Sequence, residues 1–265
     1  NLLDTTFIIP IGIESEDRKH NAQITLSYLC KHLQSNIIIF EYDKMPKLHN
    51  ILNSIDTSNS NIDHIFMPNT TGTDIFHRTR FLNEMLVKVN TPVVVNYDID
   101  ILLEPNVYRK CSDLINNGMD LVYPYFWGDS QFQINYNGRN KISQTLSLNN
   151  LSSSDKNLTR SEYGHCQFFK TSSYLAGGME NEGFISYAPE DQERGYRFKK
   201  LGYNVMWSTD YVYHIEHTRG INSSSRNPMM EINNKLFDQI KSLSSDELKE
   251  YYKNADYIKK YKKDI

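Results

Sequence analysis

No apolar run in this sequence approaches the roughly 18–20 residues that a membrane-spanning helix needs, and the N-terminus lacks the charged-then-apolar layout of a secretory leader. A soluble, cytoplasmic chain is the expectation, at the inner face of a membrane at most. Missing too is any extended basic stripe. The net charge is −3 over 265 residues, which argues against nucleic acid as the partner. Cysteine is scarce: Cys30, Cys111 and Cys166 are odd in number and lack metal-type spacing, which favours reduced, buried thiols over a disulfide frame. Internal repeats and low-complexity linkers are absent. Asn-x-Ser/Thr triplets at Asn69, Asn150, Asn157 and Asn222 are what an Asn- and Ser-rich chain produces by chance. The length and aromatic content fit one large α/β domain with helices appended at its C-terminal end.

The most informative segment that is present runs Pro92-Val93-Val94-Val95-Asn96-Tyr97-Asp98-Ile99-Asp100-Ile101-Leu102. An apolar β-branched run opened by Pro and closed by acids reads as a central parallel strand, and open α/β sheets place ligands at the carboxyl ends of such strands. Asp-x-Asp there is a natural seat for a divalent metal such as Mg²⁺ or Mn²⁺, with substrate phosphates completing the shell. Read alone, the same acids serve equally well to cap a strand or start a loop.

Around this segment the pattern alternates. Residues 6–11 and 36–41 read as strands flanking a helix over 21–33, a βαβ unit, and residues 62–68 read as another strand. A helix over 79–89 leads into the Asp-x-Asp strand, so the first hundred residues resemble a nucleotide-binding half-sheet. A helix is expected over 106–116, stopped by Asn117-Gly118, and a strand over 120–125. Residues 130–155 are polar and read as a long irregular loop, bordering a binding site. Ile232, Leu236 and Ile240 have helical spacing, and Ser244-x-x-Glu247 is a capping box opening a last helix. That helix holds Tyr251, Tyr252, Tyr257 and Tyr261 with Lys249, Lys253, Lys259, Lys260, Lys262 and Lys263. A solvated basic face is one reading of it, and a peripheral contact with anionic lipid the other.

A second constellation, Gly177-Gly178 through Glu190-Asp191, places a glycine turn, aromatics and an acidic pair just before a helix. Helix N-termini favour carboxylates for electrostatic reasons alone. Combined with the Asp-x-Asp strand and His214-Ile215-Glu216-His217 after a further strand, however, the pieces resemble a glycosyltransferase of the GT-A fold. The likeness is to the inverting family-two transferases and to the galactosyltransferase C-terminal domain of chondroitin-type polymerases and β-1,4-galactosyltransferases. It spans residues 7–222 with the motifs in family order.

That resemblance implies a mostly parallel, Rossmann-like sheet flanked by helices in residues 1–225, with a nucleotide half at about 1–105 and an acceptor half at about 106–225. Residues 226–265 form a helical extension. Pro10, Ile11, Asp17, Arg18 and Asn21 fall where the family's nucleotide base lies, and Glu41 where its uracil-contacting acid stands. Phe76-x-Arg78…Leu82-Asn83 implies that Arg78 approaches the nucleotide. Asp100 is implied as a metal ligand, Asp98 as a ribose or metal contact, and Ile99 as part of the donor site. Glu190-Asp191 resembles the family's Glu-Asp pair, with Asp191 the catalytic base and Glu190 holding the acceptor. Tyr187 takes the position of a stacking Trp, and Trp127 is expected to border the acceptor. Gly164-His165 lies where relatives have Gly-Gly beside the donor sugar, and Ser186, Ala188 and Pro189 also replace usual glycines.

His214, with Asn222 eight residues on, resembles the polymerase metal ligand, whereas His217-Thr218-Arg219 resembles the galactosyltransferase one; His214 is favoured, with the other as an outer contact. The implied activity is metal-dependent transfer from a UDP-sugar to a saccharide or glycolipid hydroxyl. Two rival readings compete with this one. A haloacid-dehalogenase-type phosphatase needs a Gly-Thr-like pair after the acids, where this chain has Ile101-Leu102. A non-catalytic sugar-nucleotide or glycan-binding module on the same fold would have no need of Asp191.

Overall fold

A computed structural model of the chain describes residues 1–73, 75–187, 189–224 and 226–261. The chain opens with β1 (Leu2–Ile11), α1 (Glu16–His32), β2 (Ser35–Asp43), α2 (Leu48–Leu52), β3 (Asn61–Pro68), α3 (Arg78–Leu86) and β4 (Val93–Tyr97). α1 begins five residues earlier than its apolar spacing predicts. Ser15 caps it by accepting from the Arg18 N–H, and Glu16 and Asp17 occupy its first turn. Polar first turns of this kind are invisible to a hydrophobic pattern.

There follow β5 (Ile101–Leu102), α4 (Pro105–Asn116), β6 (Leu121–Tyr123), β7 (Gly128–Ile134), α5 (Tyr136–Thr145), β8 (Lys156–Ser161), β9 (Cys166–Lys170), α6 (Thr171–Ala176), α7 (Glu190–Lys200), β10 (Val205–Trp207) and β11 (Val212–Ile215). Residues 130–155 are therefore not an irregular loop. They hold most of β7 and all of α5, whose cap Asn135 accepts from the Gly138 N–H. Their polarity reflects a strand that turns Gln131 and Gln133 toward a cleft and a helix with few apolar positions.

The main sheet has seven strands in the order β10-β6-β9-β4-β1-β2-β3, parallel except at β9. The chain leaves β1 toward β2 and β3, then returns to place β4 on the other side of β1. That reversal opens a crevice at the carboxyl ends of β1 and β4, where such sheets bind ligands. Val93, Val94 and Val95 are fully buried, as a strand covered on both faces requires.

A second, four-stranded sheet, β5-β11-β7-β8, closes the crevice from above. β11 pairs with β5 so that His214 lies opposite Ile101, and the Ile215 N–H donates to the Asp100 carbonyl. The three cysteines are buried and unpaired.

Last come α8 (Met230–Ser242), α9 (Ser245–Asn254) and α10 (Asp256–Tyr261). The Ser244–Glu247 capping box is present, but the expected single last helix breaks after Asn254 into two. Its tyrosines turn inward: Tyr252 and Tyr261 are buried, and Tyr257 donates to the Gly178 carbonyl. Lys249, Lys253 and Lys259 pair with acids three residues before them, and Lys260 with Glu84. These aromatics are thus occupied with packing and not offered to a lipid surface; Lys262 and Lys263 lie outside the described residues. Among the described residues no helix is long and apolar enough to cross a membrane.

Candidate active site

The crevice is a cleft of about 520 Å³. Pro10, Ile11 and Arg18 line it from the end of β1 and the start of α1; Arg78, Asp98, Ile99 and Asp100 line it from α3 and the end of β4. Gly164, His165, Tyr187, Glu190, Asp191, His214 and His217 complete the set of expected residues that meet there.

Asp100, His214 and His217 bring one ligand atom each to within 4.8 Å of one another. His217 Nε2 stands 3.1 Å from Asp100 Oδ2, and His214 Nε2 stands 3.7 Å from Oδ1. The choice between the two histidines therefore dissolves, because the turn after β11 swings His217 back beside His214. Each imidazole is held by its other nitrogen, His214 Nδ1 2.7 Å from Gln133 Oε1 and His217 Nδ1 2.9 Å from the Thr218 carbonyl. Both oxygens only accept, so each Nδ1 carries a proton and each ring turns its Nε2 toward the Asp100 carboxylate. Two imidazole nitrogens and a carboxylate converging on one point are a donor set that fits a divalent cation. Burial alone would raise the Asp100 carboxyl, but the histidines outweigh it and hold it well below the usual carboxylate range. Burial would likewise lower His217, and the Asp100 carboxylate reverses this and raises it. A carboxylate with two imidazoles fits Mn²⁺ better than Mg²⁺, which prefers oxygen ligands throughout.

Asp98 plays a different part. Arg78 Nη1 donates to it and Arg78 Nη2 reaches Asn96 Oδ1 at 3.1 Å. Burial raises the Asp98 carboxyl, with Arg78 opposing and the Asp100 charge adding to the rise. Arg78 is aimed by α3, which is fastened to the 180–184 segment through Thr79 Oγ1 on the Phe184 carbonyl (2.8 Å) and Asn83 on the backbone of Glu180.

At the start of α7, Glu190 is buried, and its Oε2 has no hydrogen-bond partner among the described residues. Burial, then the neighbouring Asp191, push its carboxyl up to about 8. Asp191 is partly exposed, and its Oδ1 accepts from Arg194 Nη1 at 2.8 Å. A Cβ at Gly164 would come within 3.3 Å of Asp191 Oδ2, so glycine there keeps this carboxylate unobstructed.

His165 and Ser186 both adopt left-handed backbone, with φ of 74° and 66°. These are two of the positions where the resembled family has glycine, and the backbone supplies the reason. The His165 ring sits between Tyr125 and His214. Burial, then His214, push its pKa down to about 3, so it is neutral.

Three expectations are corrected. Glu41 does not line the cleft: it is fully buried, its Oε1 accepts the backbone N–H groups of Lys47 and Leu48, and its Oε2 pairs with His64. Trp127 is not among the cleft-lining residues; it is half exposed and stands edge-on to the lining Tyr163 and to Trp207. Asn21 holds the carbonyls of Ile215 and Glu216, fixing the histidine turn instead of meeting a nucleotide base. Asn222, for which no separate role was expected, lines the cleft and joins Phe76, Ser186 and Glu14 as a clasp across three loops. Ala188 lies outside the described residues. Sequence reading missed Gln133, Arg160, Arg219 and Arg194, of which Arg160 and Arg219 add positive charge at the cleft. Only Arg219 had a sequence signal, its place after His217-Thr218.

The sheet order and the crevice at its switch point are those of the GT-A fold. By sequence, no protein-family model and no curated protein matches the chain. Among solved structures it is similar to the mannosyltransferase PcManGT from Pyrobaculum calidifontis in complex with GDP-Man and Mn²⁺, at TM-score 0.57 and 11% identity, over 97% of this chain and 69% of that one. It is similar also to S. aureus TarS in complex with UDP-GlcNAc, at TM-score 0.57 and 13% identity, over 91% of this chain and 68% of that one. A third likeness is to GalNAc-T7 with UDP, GalNAc and Mn²⁺, at TM-score 0.56 and 11% identity, over 82% of this chain and 44% of that one. The fold is therefore the GT-A fold, a mostly parallel α/β sheet flanked by helices.

Proposed function

We propose that this chain is a metal-dependent, inverting glycosyltransferase that moves a sugar from a UDP-sugar to a hydroxyl of a saccharide or glycolipid acceptor, in polysaccharide or glycoconjugate synthesis. The observation that carries the reading is the meeting, in one cleft at the sheet's switch point, of the Asp100–His214–His217 cluster with the Asp191 carboxylate. Two of the neighbours hold a nucleotide sugar, GDP-Man or UDP-GlcNAc, and the third holds UDP and GalNAc, with Mn²⁺ present in two of the three, which supports a donor of that kind here.

Asp100, His214 and His217 would hold the cation, which when bound offsets the charge that develops on the departing diphosphate. Arg78, Arg18 and Arg219 add fixed positive charge on the same side. Asp98, gripped by Arg78, offers a carboxylate to the ribose. Asp191 takes the acceptor hydroxyl proton as that oxygen attacks the anomeric carbon from the face opposite the nucleotide. Glu190, protonated near neutrality, donates a hydrogen bond to the acceptor, and Tyr187 gives it an apolar surface. Because the attack comes from the opposite face, the anomeric configuration inverts. The test is UDP release from a panel of UDP-sugars with Mn²⁺ or with chelator, first without acceptor and then with simple α- and β-linked glycosides. Metal-dependent release raised by one acceptor is expected. No release across the panel, from a protein that binds UDP, would overturn the proposal in favour of a binding module.

A further inference from the structure

Arg194 belongs to no motif, yet it is the most completely enclosed charge in the molecule's site region. Its side chain is fully buried at the fifth residue of α7, three residues after Asp191. Four of its five N–H groups donate to protein oxygens. Nε and Nη2 grip Glu180 at 2.6 and 2.7 Å, and Nη1 is shared between Gln167 Oε1 at 3.1 Å and Asp191 Oδ1 at 2.8 Å.

Glu180, 1% exposed, would by itself neutralise the guanidinium. A pair built only for stability would be satisfied there and would not need to reach a partly exposed carboxylate at the cleft. Glu180 is in turn immobilised. Tyr174 Oη donates to its carboxylate, its N–H donates to Asn83 Oδ1 at 2.8 Å, and its carbonyl accepts from Asn83 Nδ2 at 2.9 Å. Asn83 lies on α3, whose first residue, Arg78, grips Asp98. An unbroken series of contacts thus references Asp191 to the strand end that presents the Asp-x-Asp pair.

We propose that Arg194 is a positioning residue that locks Asp191 by Oδ1 and leaves Oδ2 as the proton-accepting oxygen. This rests on reading Asp191 as the base. Oδ2 lies over Gly164, a cleft-lining residue, and has no hydrogen-bond partner among the described residues. In the transfer, the acceptor O–H proton goes to Asp191 Oδ2 as the oxygen bonds to the anomeric carbon. The bond from that carbon to the diphosphate oxygen breaks, its electron pair leaving with UDP. Only a planar fork can span two carboxylates and an amide at once; an ammonium is a single point charge on a flexible stem.

The test is Arg194→Lys, which keeps the charge and loses the fork. Turnover is measured with the UDP-sugar and acceptor that the wild type uses, beside the affinity for UDP with Mn²⁺. A loss in kcat of roughly 10–100-fold is expected, with donor KM and UDP affinity held within about twofold, because a misplaced base costs rate and not ground-state binding. A folded R194K with wild-type kcat, or one whose UDP affinity falls in step with kcat, overturns the proposal. Should R194K not fold, Glu180→Gln, which preserves shape and weakens the anchor, is judged by the same split. A crystal structure of whichever variant folds reads the geometry without any activity: Asp191 keeping Oδ2 over Gly164 overturns the positioning role. A wild type that turns over no UDP-sugar would instead refute the proposed function and leave this structural comparison decisive for Arg194.

Discussion

Asp191→Asn separates chemistry from binding more cleanly than any other substitution in the cleft. Asparagine has nearly the same shape, and its Oδ1 can still accept from Arg194 Nη1 at the 2.8 Å distance seen for the carboxylate. What changes is the atom over Gly164, where a proton-accepting oxygen becomes an amide that cannot take a proton. Arg194 keeps its bidentate partner Glu180, so no buried charge is stranded and the fold should be preserved. The loss is that of a general base, about 10²–10⁴ in rate, or about 3–5 kcal/mol of barrier at 1.36 kcal/mol per tenfold. Asp191 makes no hydrogen bond or ion pair to Asp100, His214 or His217 among the described residues, so UDP affinity in Mn²⁺ should stay within about twofold. The assay is acceptor-dependent UDP release at saturating donor, beside calorimetric UDP binding and a thermal melt. A folded D191N that turns over within about threefold of the wild type, less than any general base supplies, would remove Asp191 from the chemistry.

Further outcomes are expected elsewhere. His214→Ala and His217→Ala should each weaken Mn²⁺ binding by at least about tenfold, read by titration calorimetry; a variant that binds Mn²⁺ like the wild type removes that histidine from the ligand set. Mn²⁺ should raise the melting temperature of the wild type more than Mg²⁺ at equal concentration, because imidazole nitrogens discriminate between them, and equal shifts would argue for an all-oxygen site. Glu190, buried and raised to about 8, keeps its proton in the folded state while the unfolded chain loses it near the ordinary Glu value. Its contribution is thus intact at low pH and is lost as pH climbs from about 4.5 to 8. Glu190→Gln should flatten the fall of melting temperature across that window, and an unchanged slope would show that Glu190 ionises normally. Gly178→Ala meets both a φ of +97° and the Tyr252 ring at 2.5 Å from the new Cβ. A cost of about 2–4 kcal/mol is expected, since Tyr252 also donates to Glu193 and ties α9 to α7. A melt within about 2 °C of the wild type, less than one kcal/mol would produce, would show that α9 can shift freely.

The sequence by itself determined the strands and the chemistry at their ends. Val93–Val95 and Ile37–Ile39 are apolar on both faces, and only a sheet covered on both sides buries such runs, so β4 and β2 were legible, as was the seat of Asp98 and Asp100 just beyond β4. The Ser244–Glu247 box was legible for an equally local reason, since both its hydrogen bonds lie within one turn. Tertiary structure decided whatever depends on atoms distant in sequence. Glu41 follows a strand as a ligand-binding acid would, and it became a structural acid only because α2 folds its N–H groups back onto it. His214 and His217 point opposite ways along an extended strand. A turn held by Asn21 and Asp17, nearly 200 residues earlier in the chain, bends them onto one carboxylate. Arg194 looks like any helix cation until Glu180 and Asp191 close on it from two sides. Hydrophobic periodicity reports which residues leave water. It holds no information on which polar atoms meet, because beyond a single turn hydrogen bonds and ion pairs are set by three-dimensional distances of a few ångströms that sequence spacing does not encode.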